Sequence, residues 1–265
     1  MKLIFVRHAE PDYINDSLTE NGEKEAQLLA ERIADWKVTQ FYVSPQGRAQ
    51  KTASYSLLAQ QKEAITLDYL REFSYKVNDP ISGRIGVPWD FVSSDWTKYD
   101  FMFKEGDAFC EYPCIKNAET DIKKKYHEVI DNFDKLLEEY GFRRNGRYYT
   151  SDHAVERYLK RTVSDDNLVR NNKPDYPDDY EEPVLVFFCH LGVTCVILSH
   201  LLNIPFETLT HGFFIPPTGL TILSSEERWG KEAYFRVQTI GDMEHLKRAG
   251  HPISPAGYFA DVFQG

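Results

Sequence analysis

An arginine and a histidine stand side by side directly after the first apolar run of the chain. Residues 2–6 read Lys-Leu-Ile-Phe-Val, and Arg7 and His8 follow at once. Such a run predicts a buried strand, and a parallel α/β sheet binds ligands outside the carboxyl ends of its strands. Arginine supplies permanently charged donors for phosphate oxygens, and a neutral imidazole can act as a nucleophile. The pair therefore fits attack on a phosphoryl group, although a lone histidine at a strand end is equally typical of a structural polar residue.

Three further candidate groups each follow a predicted strand. They are Arg48 after 41–43, Glu72 after 64–67 and His190 after 184–189. If these strands are parallel to the first, their carboxyl ends share one edge of the sheet, so that all the groups can converge on one ligand. The set as a whole indicates catalysis more strongly than any single member does.

Predicted strands alternate with predicted helices along most of the chain. Helices are expected from the N-cap Thr19 to about Trp36, from Arg48 through Leu57, and over 192–202; strands near 218–224 and 233–240 are expected to form a hairpin. This alternation is typical of an α/β protein whose sheet is covered on both faces. We expect a three-layer α/β/α sandwich around a mostly parallel, mixed sheet of about six strands.

The stretch from about 73 to 182 interrupts that alternation. It is rich in aromatic, proline and charged residues, and its clearest element is an amphipathic helix over about 117–140. We interpret it as a mainly helical cap inserted into a single domain that spans 1–265, with a short edge strand near Tyr148. Its aromatic residues are expected to form a small core or an apolar wall of the site, the core being favoured; they are Trp89, Trp96, Tyr99, Phe101 and Phe103.

Composition excludes several classes of function. The 265 residues carry a formal net charge of -10, so no basic stripe is present to bind nucleic acid. No apolar segment is long enough to span a bilayer or to act as a signal peptide. The four cysteines are too sparse for a disulfide framework, which favours a reducing cytoplasm. We expect a small-molecule partner, no nucleic acid and no membrane, and a homodimer stays open.

Several motifs resemble the histidine phosphatase superfamily, in its phosphoglycerate mutase-like branch. Arg7-His8-Ala9-Glu10 is similar to the family's Arg-His-Gly-Glu, and Leu18-Thr19-Glu20-Asn21-Gly22 to its Leu-Thr-x-x-Gly. The block at 44–53 is similar to its Ser-Pro-x-x-Arg-Ala-x-x-Thr-Ala, 70–72 to its Leu-x-Glu, and 189–192 to its second-histidine segment. The resemblance covers about 1–75 and 184–225, and the order and spacing of the motifs make it specific.

The resemblance implies a division of roles within the site. His8 is the nucleophile, Arg7, Arg48 and a cationic His190 hold the phosphate, and Glu72 is the acid and base, with no metal or other cofactor. Glu10 and Asp12 are reserve candidates for the acid. A related branch carries aspartate directly after the second histidine; here Leu191 stands there, which favours Glu72.

These roles predict a metal-independent phosphomonoester hydrolase, a histidine acid-type phosphatase acting on a small phosphorylated metabolite through a phosphohistidine. Three alternatives stay open. One is a phosphoglycerate-type mutase of the same family. Another is a metal-dependent hydrolase that uses His8, Glu10, Asp12 and His190. The third is a catalytically inactive phosphate-binding module.

Overall fold

The computed structural model describes residues 1–87, 91–152, 181–227 and 231–264. The strands are β1 (Lys2–Arg7), β2 (Pro11–Asp12), β3 (Ser17–Leu18), β4 (Gln40–Val43), β5 (Ala64–Thr66), β6 (Val77–Asn78), β7 (Ile85–Gly86), β8 (Phe142–Asn145), β9 (Tyr148–Ser151), β10 (Val184–Cys189), β11 (Leu220–Glu227) and β12 (Glu232–Asp242). The helices are α1 (Glu20–Ile33), α2 (Gly47–Gln60), α3 (Ser93–Trp96), α4 (Pro113–Lys116), α5 (Ile122–Glu139), α6 (Leu191–Leu202), α7 (Phe206–Gly212) and α8 (Glu244–Arg248). Short 3-10 helices lie at Asp68–Leu70, Asp100–Phe103 and Ala108–Glu111.

Within the described residues, the main sheet has eight strands in the order β5-β4-β10-β1-β11-β12-β9-β8. The four strands from β5 to β1 are parallel, and each later pairing is antiparallel. The expected mixed sheet with a parallel core is confirmed, but the expected number of about six strands is wrong. The two additional strands are β9, which corresponds to the edge strand expected near Tyr148, and β8. The sequence does not predict β8, because Phe-Arg-Arg-Asn lacks an apolar run and only its pairing with β9 holds it in the sheet.

Helices cover both faces of the sheet, as the alternation predicted. Side chains of β1 alternate, so that Leu3 and Phe5 enter one core cluster while Ile4 and Val6 enter another. Residues of α5 and α6 complete the first cluster, and residues of α1 and α2 complete the second. Thr19 caps α1 as expected, since its side chain accepts a hydrogen bond from the backbone of Gly22.

Helix α5 forms part of the layer on the first face. Its Phe133 ring lies 6.0 Å from Phe5 and 5.6 Å from Phe187, and those two rings are stacked at 5.0 Å. The helix begins at Ile122 because the Asp121 side chain accepts a hydrogen bond from the backbone of Lys124. The expected insertion therefore supplies a core helix and two sheet strands besides any cap.

The aromatic residues of that insertion pack mainly into the core. Trp96 is buried, and Tyr99 and Phe101 pack against the same cluster, whereas Phe103 is half-exposed. Trp89 lies outside the described residues. The sequence also predicts an acidic surface loop over 164–182, of which all but the last two residues lie outside the described ranges. The interpretation of 1–265 as one domain with an insertion over 73–182 stays a prediction, because 153–180 lie outside those ranges as well.

All four cysteine thiols are free. Among the described helices, none combines the length and the apolar content that crossing a bilayer requires.

Candidate active site

The carboxyl ends of the parallel strands bring the two histidines of the motifs together. β1 and β10 run in register up to the pair Arg7 and Cys189, so that His8 and His190 follow at the same level. The backbone N–H of His8 donates to the Cys189 carbonyl at 2.9 Å. The two imidazole ring centroids lie 5.1 Å apart, with the ring planes inclined at 56°. A tetrahedral anion can therefore contact both rings.

His8 is held as a neutral imidazole with one nitrogen available. Its Nδ1 lies 2.7 Å from the Ala9 carbonyl oxygen, an acceptor, so Nδ1 carries the proton and Nε2 the lone pair. The side chain is 1% exposed. Burial, followed by the charge of Arg7, holds the pKa of His8 well below the usual 6.5. A neutral ring with its lone pair on Nε2 is the form that attacks phosphorus.

His190 is hydrogen-bonded through one nitrogen only. Its Nε2 lies 2.8 Å from the Ser44 hydroxyl oxygen, while Nδ1 has no partner among the described residues. Burial, with His8 and the arginines, lowers the pKa of His190 well below 6.5. This shift disfavours the cationic His190 that the resemblance implies, because a third positive charge would be buried beside two guanidinium groups. A bound phosphate dianion opposes this shift and favours the protonated ring.

Arg7 is fixed by the far end of the chain. Its Nη1 donates to the Ile215 carbonyl at 2.7 Å and its Nη2 to the Ala256 carbonyl at 3.1 Å, while its Nε has no partner among the described residues. The guanidinium carbon lies 5.9 Å from the centre of the Phe214 ring. Backbone carbonyls orient the group without neutralising its charge, so Arg7 keeps the positive charge that a phosphate needs.

Arg48 is oriented by Asp16, which the motifs did not single out. Its Nη1 donates to Asp16 Oδ1 at 2.6 Å, and the backbone N–H of Gly47 donates to Asp16 Oδ2 at 2.7 Å. A side chain at Gly47 would collide with the Asp16 carbonyl, since a Cβ there would lie 2.2 Å away. Asp16 itself adopts a left-handed backbone with a φ of 45°. The one hint in the sequence was that Asp16 is an aspartate, a residue type that tolerates the left-handed conformation in turns.

Glu72 lies close to both arginines and the second histidine strand. Its backbone N–H donates to Gln46 Oε1, and its Oε1 accepts from Phe73 at 2.9 Å and from Val193 in the first turn of α6 at 3.3 Å. Burial raises the pKa of Glu72, against the lowering effect of Arg7. A carboxyl that retains its proton more readily than usual can act as a general acid.

Glu10 and Asp12, the reserve candidates for the acid, both accept hydrogen bonds from other parts of the chain. Glu10 accepts hydrogen bonds from Thr19, Asn21 and Ser254, which lower its pKa against the effect of burial. Asp12 closes an exposed turn by accepting from the backbone of Ile14. Within the described ranges, no three histidine, cysteine or acidic side chains are grouped as metal ligands. The ligand set of the metal-dependent alternative is therefore not brought together.

The site opens into a cleft of about 720 Å³. Arg7, Arg48 and Glu72 line it, and aromatic side chains such as Phe214 and Tyr258 make up much of the remaining wall. The imidazoles of His8 and His190 are almost fully buried. Sequence reasoning missed Ser44, Asp16 and the C-terminal segment as parts of the site, although Ser44 stands in the motif block that contains Arg48.

The two imidazoles and two guanidinium groups at one strand edge of this α/β fold can together contact a tetrahedral anion. Residues 3–81, which contain His8, Arg48 and Glu72, match the model of the histidine phosphatase superfamily (branch 1). Over these residues, the match confirms the resemblance that the motifs indicated. No curated protein matched the chain.

Solved structures of phosphatases share the fold over nearly the whole chain. A phosphoserine phosphatase mutant from Entamoeba histolytica, in complex with phosphoserine, is 18% identical with a TM-score of 0.55, covering 92% of this chain and 98% of that one. An alpha-ribazole phosphatase from Shigella flexneri is 18% identical with a TM-score of 0.51, covering 92% and 97%. A mycobacterial glucosyl-3-phosphoglycerate phosphatase is 15% identical with a TM-score of 0.52, covering 90% and 97%. At these identities the likeness concerns the fold alone.

Proposed function

We propose that the protein is a metal-independent phosphomonoester hydrolase that acts on a small phosphorylated metabolite through a phosphohistidine at His8. One observation carries the proposal: a neutral, oriented imidazole lies beside a second imidazole and two arginines at one strand edge. The family match over residues 3–81 and the phosphatase names of similar structures agree with it.

In the first step, Nε2 of His8 attacks phosphorus as the bond to the leaving oxygen breaks. The proton stays on Nδ1 and is donated to the Ala9 carbonyl oxygen, a hydrogen bond that stabilises the ring as it acquires positive charge. Arg7, Arg48 and His190 bind the equatorial oxygens, where charge is spread in the transition state. Protonated Glu72 donates its proton to the leaving oxygen, so that an alcohol departs.

In the second step, water attacks the phosphohistidine. Glu72, now a carboxylate, takes a proton from this water as the bond between phosphorus and Nε2 breaks. The products are inorganic phosphate and a neutral His8, and Glu72 is again protonated. The helix amide of Val193 stabilises the carboxylate between the two steps.

The test is to trap the intermediate. The protein is mixed with a radiolabelled phosphomonoester in the presence of EDTA and quenched in alkali, which preserves phosphohistidine. We expect label on His8 and release of phosphate, both abolished in His8→Ala with the circular dichroism spectrum unchanged. His127→Ala serves as the control. That histidine lies on α5, pairs with Asp107 and does not line the cleft.

Each alternative has its own outcome. Turnover that EDTA abolishes and added metal restores would contradict the proposal in favour of a metal-dependent hydrolase. Isomerisation of phosphoglycerate without net release of phosphate would identify a mutase. Substantial activity in His8→Ala would exclude His8 as the nucleophile.

A further inference from the structure

The wall of the cleft outside the phosphate site is largely aromatic. Six aromatic side chains contribute to it: Tyr13, Phe91, Phe213, Phe214, Tyr258 and Phe259. Phe214 and Tyr258 stack at 4.3 Å with their planes inclined at 13°. Phe259 is 93% exposed and Tyr13 is 64% exposed. Large apolar rings left in solvent around a cleft mark a surface that a ligand covers.

The described part of the wall provides no lysine or arginine for a second anionic group. Among the described residues that line the cleft, the permanently charged cations are Arg7 and Arg48, which the proposed mechanism assigns to the phosphate. Glu72 is an acid, and the remaining ionisable side chain besides tyrosine is His211. A carboxylate bound against this wall would lose its hydration without gaining an ion pair, which is costly.

His211 is held in place by Glu207 and Trp96. Its Nδ1 lies 3.1 Å from the Glu207 carbonyl oxygen and 3.2 Å from the Glu207 carboxylate, so this nitrogen carries the proton. Its Nε2 is buried and has no partner among the described residues. Trp96 packs on the ring at 4.8 Å and fixes its orientation.

We infer that the site prefers phosphomonoesters whose alcohol is uncharged and carries an aromatic ring, over those whose alcohol carries a carboxylate. The inference rests on the proposed hydrolysis and specifies its substrate class. The ring packs on the aromatic wall, where stacked and edge contacts add to the burial of apolar area.

The test compares two esters that differ mainly in one charge. 4-Methylbenzyl phosphate and 4-carboxybenzyl phosphate have leaving alcohols of similar acidity, so chemistry at phosphorus does not distinguish them. We expect kcat/KM to be higher for the methyl compound by about tenfold or more. Equal values, or a preference for the carboxylate, would overturn the inference while leaving the hydrolase intact. No release from either ester and no labelled His8 would overturn the proposed function, and the inference with it.

A charge-introducing variant tests the same point from the side of the protein. Thr210→Lys places an ammonium group on the wall, since Thr210 lines the cleft. We expect kcat/KM for the carboxylate ester, relative to that for the methyl ester, to rise severalfold in this variant. Thr208→Lys is the matched control, because Thr208 lies exposed on α7 and does not line the cleft. An unchanged ratio of the two benzyl esters in a folded Thr210→Lys protein would count against the inference.

Discussion

Burial shifts the two central titratable groups of the site in directions that suit their proposed roles. It lowers the pKa of His8, which favours the neutral nucleophile, and it raises the pKa of Glu72, which favours the protonated acid. Both shifts have the same cause, since a low-dielectric surrounding disfavours each charged form. Oppositely displaced pKa values are a general sign of an acid and a nucleophile prepared for one reaction.

Replacing Glu72 with glutamine separates its proton-donating role from its structural one. Glu72→Gln keeps an oxygen for the N–H groups of Phe73 and Val193 but loses the proton. We expect turnover of an alkyl phosphate to fall by about a hundredfold or more. With p-nitrophenyl phosphate, whose phenolate leaves unprotonated, a stoichiometric burst of nitrophenol should precede a slow steady state, as measured by stopped-flow absorbance. An equal loss in the phosphorylation rate of both esters would exclude Glu72 as the acid.

Glu25 is a second buried acid, adjacent to the backbone that follows His8. Its Oε2 accepts from the backbone N–H of Glu10 at 2.8 Å, and the side chain is fully buried. Burial raises the pKa of Glu25 from 4.5 to about 8. The folded protein therefore keeps this proton at pH values where the unfolded chain has released it. Folding then binds a proton, so stability is fully present below pH 4.5 and declines as the pH rises toward 8.

Glu25→Gln should remove that decline, because glutamine stays neutral and can still accept from Glu10. We expect the variant to gain stability relative to the native protein as the pH rises from 4.5 to 8. The relative gain is on the order of several kcal/mol. Urea unfolding at a series of pH values measures it. Glu31→Gln, an exposed position on the same helix, is the control and should leave the pH dependence unchanged. Parallel native and Glu25→Gln curves would contradict the prediction.

At the scale of elements, the ends of the parallel strands could be predicted from the sequence. The apolar runs before Arg7 and His190 are local signals, and the parallel order β5-β4-β10-β1 then places the candidate groups at one edge. The N-cap of α1 was likewise readable, because capping depends on the neighbouring residues alone. These features share one property, which is that short stretches of sequence determine them.

Features that depend on distant partners could not be predicted in the same way. The sequence of β8 is largely polar. This strand joins the sheet only because β9 pairs with it on one side and with β12 on the other. Asp16 reaches Arg48 through a left-handed turn that any polar loop residue can adopt. Ser44 was visible as part of a motif, but its hydrogen bond to His190 follows from strand pairing across the sheet.

The role of α5 as a core helix, and not part of a detachable cap, has a measurable consequence. Phe133 is fully buried between Phe5 and Phe187 on the central strands. We expect Phe133→Ala to lower the free energy of unfolding by about 3–5 kcal/mol, through lost burial and a cavity. The folded fraction should retain native KM, because the ring lies away from the cleft. Lys135→Ala, exposed on the same helix, should change stability by about 0.5 kcal/mol or less. Chemical denaturation checks both, and a similar small change for the two variants would contradict the assigned position of α5.

At the scale of the whole molecule, the candidate site is completed by segments far apart in the chain. Ser254 donates to Glu10 at 2.6 Å and the Ala256 carbonyl accepts from Arg7 at 3.1 Å, which joins the C-terminal segment to the end of β1. Tyr258 then stacks on Phe214 at the cleft wall. The orientation of Arg7 therefore depends on residues that no analysis of its own strand could identify.

Gly257 makes this dependence testable. A Cβ at Gly257 would lie 2.8 Å from Nη2 of Arg7, and the residue has a φ of +82°. Gly257→Ala should displace the guanidinium and weaken competitive inhibition by inorganic phosphate about tenfold or more, the loss expected for a charge-assisted hydrogen bond. Gly250→Ala is the matched control, since its φ is +63° but nothing lies within 4 Å of the added Cβ. Both variants carry the backbone cost of a positive φ, so both lose some thermal stability. Only the Gly257 variant should lose phosphate affinity; equal inhibition constants in the two folded variants would show that the C-terminal segment does not position Arg7.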